Sequence, residues 1–233
     1  MRLQEIRSSI TRRLLPTRHP SWQEFAVRVR GEFRPSPFWR TDEVVTRFDR
    51  WLLHLDTVML DRETGVPKSG LIYSTRRGTE VWARFTSVDG FRFAVRDRQW
   101  LHRNPNRLEW EIDPGRLVDA VLRRTKPEET EIGDARFDGG YVARSNHPAK
   151  LQRLLTEGST IERILDRSEL AEIRIVGPDP GEDMFAQQAS LLLWERQMLQ
   201  DPEQLLDLHE LLLGLLDCLA RMGSAAPAAA EEG

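Results

Sequence analysis

The chain of 233 residues has one cysteine, two tyrosines, only three lysines (Lys68, Lys126, Lys150) and no long hydrophobic run. A lone Cys218 permits no internal disulfide and no cysteine-built zinc cluster. Leucine runs stop at three, as at 211–213 before Gly214, far below the ~20 apolar residues of a membrane-spanning helix. No apolar stretch follows Met1, so the expected compartment is the reducing cytoplasm. The chain also lacks a glycine-rich phosphate loop, a G-x-S-x-G elbow, an H-E-x-x-H helix and any repeat of 20–50 residues.

Charge is plentiful, at 30% of residues, and unevenly spread. Residues 1–107 hold 21 basic against 12 acidic residues, a net of +9, and residues 108–233 hold 13 against 25, a net of −12. A near-neutral whole of −3 thus hides a basic and an acidic half. Opposed fields can steer partners, or they are two solvated faces of one domain. With 39% hydrophobic residues the chain can bury a real core.

Three regions are expected. In residues 1–19, Leu3, Ile6, Ile10 and Leu14 recur at helical spacing among arginines, a candidate anchor helix over 2–15 for an anionic membrane surface or a partner. Residues 20–224 form a single domain, with a basic part (20–107) and an acidic part (108–224), and 225–233 read as a disordered low-complexity tail. Within the domain the spacing predicts a helix over 22–30 and a strand over 44–60. A hairpin is expected over 81–96, turning at Asp89-Gly90. Asp113-Pro114 opens a helix, Asp138-Gly139-Gly140 is a turn before a strand over 141–144, and Pro148 starts a further helix. Ser159 and Glu162 form a capping box, alternation over 171–175 predicts a strand with an antiparallel partner over 184–194, and Asp201-Pro202 caps a last helix ending at Gly223. Strands joined by short turns rather than helices give an α+β fold, with antiparallel sheet packed by helices and a leucine-rich C-terminal helix.

Few constellations carry chemistry. His54 and Asp56, two apart on a strand, leave the same face, but no nucleophile accompanies them. His19, His102, His147 and His209 show no metal-ligand spacing, and His147 is placed to cap the helix at Pro148. Asp179, Glu182 and Asp183 fit no calcium loop. Cys218, among leucines, is expected to be an inert buried thiol. No metal, cofactor or catalytic residue is assigned. Two surfaces remain. Arg76, Arg77, Arg84, Arg92 and Arg96, with Trp82, are expected on the outward hairpin face, where guanidinium forks suit phosphates or an acidic partner. Leu205, Leu208, Leu212, Leu215 and Leu219 form a stripe that either covers a sheet or serves as an assembly face.

An ordered series of short motifs runs through the chain: Trp22-x-x-Phe25-Ala26, Gly31-Glu32-Phe33, Phe38-Trp39, Leu55-Asp56-Thr57, Asp89-Gly90-Phe91-Arg92-Phe93 and Glu131-Ile132-Gly133-Asp134, closing on the leucine-rich helix. Over residues 20–224 it resembles an uncharacterised family of soluble bacterial proteins with no assigned activity, and departs from that pattern at 98–130 and 177–200. The resemblance implies a bacterial α+β protein and supplies no catalytic residue. The expected function is therefore a non-catalytic cytoplasmic module that binds another protein or itself as a homodimer. The alternatives are a nucleic-acid or phosphoanion-binding module using the arginine face, and an enzyme whose site is assembled from distant residues.

Overall fold

Strand alternation and one broad leucine stripe dictate the architecture. A computed structural model describes residues 20–35, 42–60, 76–103, 128–177 and 188–228. In chain order these form α1 (Pro20–Arg28), β1 (Glu32–Arg34), β2 (Glu43–Phe48), β3 (Trp51–Leu60), β4 (Arg76–Ser87), β5 (Phe93–Asp97), α2 (Arg98–Arg103), β6 (Glu128–Glu129), α3 (Ala135–Gly140), β7 (Tyr141–Ser145), α4 (Pro148–Thr156), α5 (Thr160–Leu165), β8 (Leu170–Val176), β9 (Gln188–Glu195), α6 (Pro202–Arg221) and β10 (Ala225–Pro227). The fold is α+β. Strands from both charge halves share one antiparallel sheet in the order β1-β2-β3-β4-β9-β8-β5-β7-β6, with β10 also pairing to β4.

The inner face of this sheet carries Val44, Leu53, Leu55, Val81, Ala83, Phe85, Val95, Ile173, Leu191 and Leu193, all buried. Against them lies α6, opened by Asp201, whose carboxylate accepts from the Glu203 amide at 3.0 Å, and closed at Gly223 with φ of +71°. Leu205, Leu208, Leu212, Leu215 and Leu219 are at most 1% exposed within a single chain. The expected assembly face is thus core: those leucines touch the sheet and are not available to a partner.

Other expectations are corrected. The segment 44–60 is two strands, because Asp49 takes φ of +51° and lets the chain reverse so that Phe48 faces Trp51. The expected hairpin over 81–96 does not pair with itself. Asp89-Gly90 does turn, with Gly90 at φ of +69° and the Asp89 carboxylate accepting from the Phe91 amide, but β9 and β8 lie between β4 and β5. Asp138-Gly139-Gly140 ends the short helix α3, and Asp138 accepts from the Ile132 and Gly133 amides at 2.9 Å. Ser159 and His147 sit at N-cap positions without a side-chain capping bond, and Glu162 pairs with Arg136 at 2.6 Å instead of closing a box. Ala225–Pro227, expected within the low-complexity tail, is strand β10. The anchor helix over 2–15, the helix at Asp113-Pro114 and the acidic group Asp179, Glu182 and Asp183 lie outside the described residues. Among the described residues no helix is long and apolar enough to cross a membrane.

Two core positions give tests. Truncating a leucine with no exposed surface removes its burial and leaves a cavity, so Leu212→Ala is expected to cost about 2–5 kcal/mol in urea unfolding, independent of protein concentration. His209, 3% exposed and edge-on to Phe25 with centroids 5.8 Å apart, has neither ring nitrogen hydrogen-bonded, and burial lowers its pKa to about 4. The unfolded chain then takes up this proton first, so stability falls as pH drops from about 6.5 to about 4. His209→Leu is expected to remove up to roughly 3 kcal/mol of that acid-side loss, measured as the difference between variant and parent at pH 7 and pH 4.

Candidate functional site

Successive strand residues point to opposite faces, so the positions between the core residues build the outer face of the sheet. Cross-strand registers set them in rows. One row runs Glu43, Asp56, Glu80, Trp194, Glu172 and Arg96, and the next Val45, His54, Trp82, Leu192, Arg174 and Ala94. At one end Arg47 faces Leu52, with Arg84 following on β4 one step past the Leu53–Ala83 pair. The other end is closed by α2, whose Trp100 and Leu101 pack with Val142, Ala171 and Trp194. Trp100 meets Trp194 edge-on at 5.6 Å.

His54 and Asp56 do share this face, as expected, but not a bond. His54 Nδ1 lies 2.6 Å from Glu43 Oε1, and the Trp82 indole N–H donates to Asp56 Oδ2 at 2.8 Å. The His54 and Trp82 rings stack at 4.0 Å, within 5° of parallel, and the Arg84 guanidinium stands 5.8 Å from the Trp82 ring. Burial raises the Asp56 pKa, against the Trp82 bond that lowers it. Glu80 is half-buried, and its pKa is raised to about 7 by burial first and then by the Asp56 charge. The cross-strand neighbours of His54 are Val45 and Trp82, so its imidazole is paired with no nucleophile.

The arginines expected to act together are separated. Arg84 lies on β4 and Arg96 on β5, with two strands between them. Arg96 Nε is held by Glu172 at 2.7 Å, and Arg92 lies in the β4–β5 turn, its amide donating to Asn146 Oδ1. The side chains of Arg76 and Arg77 lie outside the described residues. Glu43, Glu80, Glu172 and Leu52, 41% accessible, were not grouped from the sequence, and only strand register could have grouped them; Phe48, 55% accessible, pairs with Trp51 and so has the parity of the inner face. Cys218 is the inert thiol expected: it is buried, donates to Glu157 Oε2 at 3.0 Å, and burial pushes its pKa to about 12. Elsewhere, a recess of about 300 Å³ between α3, α4 and α5 is lined by Asp134 and Glu162, both already paired with Arg136. Among the described residues no group of three or more His, Cys, Asp or Glu is placed to hold a metal ion.

No family model matches the chain, and no curated protein matches it. Among solved structures it is similar to the mycobacterial trehalose monomycolate transport factor A, TtfA, at 9% identity and a TM-score of 0.44, over 89% of this chain and 96% of that one. That likeness is too slight to transfer a function.

The Trp82–Asp56 bond is testable. Trp82→Phe keeps the ring stacked on His54 and removes the one side-chain hydrogen bond that the Asp56 carboxylate accepts among the described residues, so a loss of about 1–3 kcal/mol is expected in chemical denaturation. Asp56→Asn in the Trp82→Phe background should cost less than in the parent chain.

Proposed function

We propose that this chain is a bacterial, cytoplasmic, non-catalytic protein-binding module that docks an acidic, partly apolar segment of another protein on the β2–β3 corner of its outer sheet face. The observation that carries the reading is the 41% exposure of Leu52 on the outer face, opposite Arg47 and beside Arg84. Aromatic and arginine side chains around a solvent-exposed apolar centre are the composition from which binding hot spots are built. Trp82, stacked between His54 and Arg84, adds a rigid flat surface beside them. The basic charge of the corner favours an acidic partner.

A polyanion fits this face less well. Glu43, Asp56, Glu80 and Glu172 share it, and Arg96 is taken by Glu172.

The reading is tested by placing a photo-crosslinking amino acid at position 52 of the full-length protein in bacterial cells. A crosslinked species of defined mass is expected from this position and not from exposed Arg136. Arg47→Glu with Arg84→Glu should abolish it without shifting the melting temperature. Equal crosslinking from position 136, or none from position 52, would contradict the proposal.

A further inference from the structure

Four carboxylates occupy one cross-strand row: Glu43 opposite Asp56, Asp56 opposite Glu80, and Glu172 on the far side of Trp194. Directly opposed residues bring their side chains to ~5 Å, where like charges work against strand pairing. Three of the four are relieved. Glu43 accepts from Arg34 at 3.5 Å and is joined to His54. Asp56 accepts from Trp82, and Glu172 is held by Arg96 at 2.7 Å with Arg174 at 3.6 Å. Glu80 alone of the four makes no hydrogen bond or ion pair among the described residues, and Arg174, which acts on its charge, also stands 3.6 Å from Glu172 Oε2.

We propose that Glu80 is a proton-operated latch: protonated, it lets β3 and β4 pair closely along this row, and ionised, it sets its charge against Asp56 and loosens them. The groups facing it are Asp56, Glu43 and His54 from β2 and β3, Trp194 from β9, Glu172 and Arg174 from β8 and Arg96 from β5. The carboxyl group's raised pKa, near 7, agrees with this arrangement: burial contributes most, then Asp56, while Arg174 opposes and Glu172 adds. The folded state therefore holds a proton that the unfolded chain gives up at about 4.5. Stability is fully present below about 4.5 and is lost as pH rises through about 7. Because the same row orients Trp82 through Asp56, the latch couples proton uptake to the shape of the outer face. It stands whether or not a partner docks there.

The test compares the full-length protein with Glu80→Gln in urea unfolding at pH 5.5 and pH 8. His209 and His54 are common to both chains, so the ratio of their unfolding constants isolates Glu80. That ratio, parent over variant, is expected to rise at least about fivefold between the two pH values, since a pKa difference of one unit corresponds to tenfold. A smaller change overturns the latch. Amide protection across 53–57 and 79–83 should fall over this range in the parent and not in Glu80→Gln; equal behaviour overturns the local mechanism. Should Glu80→Gln fail to fold, the carboxyl carbon of Glu80 followed by ¹³C NMR decides. A midpoint above about 6 that moves down in Asp56→Asn is expected, and a midpoint below about 6, or one that Asp56→Asn leaves in place, overturns the proposal.

Discussion

The structure depends on the burial of the α6 leucine stripe against the inner face of the sheet. Each fully buried leucine is worth about 1.5–3 kcal/mol in transfer terms, and no other helix among the described residues offers a comparable apolar face. Polar contacts then fix its orientation. Arg167, 7% exposed at its side chain, bridges Glu195 at the end of β9 to Asp207 on α6 and donates to Gln204 O at 3.1 Å. Further along α6, Asp217 accepts from the Trp51 indole N–H at 2.9 Å. Removing one partner of the buried Arg167–Glu195 pair would leave a bare charge, so these bonds specify register more than they add stability.

Once α6 has taken the inner face, the two faces have different physics. The inner side is closed by packing, while the outer side keeps half-buried charge and aromatic rings. That outer side is itself divided. Along the Glu43–Glu172 row carboxylates outnumber free cations, which favours proton uptake. Around Leu52 the arginines dominate beside exposed apolar surface, which favours contact with an acidic protein segment. A single sheet face thus holds a titratable row and, beyond the intervening His54–Trp82 row, the proposed docking corner.

Local chemistry was largely legible in the sequence. The Asp201-Pro202 start and Gly223 stop of α6, the strand at β8, the helix opened by Pro148 and the inert Cys218 follow from capping, alternation and burial of short segments. The shared face of His54 and Asp56 was legible too, because strand periodicity alone decides it. What failed was pairing. Asp89-Gly90 carries a strong turn signal and does turn, yet β4 and β5 are not neighbours, since hairpin β8–β9 is inserted between them from a hundred residues away in sequence. No local pattern encodes that insertion, and with it went the grouping of Arg84 with Arg96 and the row that sets Glu80 beside Asp56. The leucine stripe was read with both its meanings open; the sheet it covers decided between them. Asp49 hid a reversal because a positive φ at aspartate has no marker as plain as glycine's.

The central claim is that the inner face is sealed within one chain while the β2–β3 corner of the outer face is open to a partner. Hydroxyl-radical footprinting of the isolated full-length protein addresses it most directly. The account predicts rapid oxidation of Leu52 together with protection of Leu208, Leu212 and Leu215. Protection of Leu52, or oxidation of the α6 leucines at a comparable rate, would contradict it.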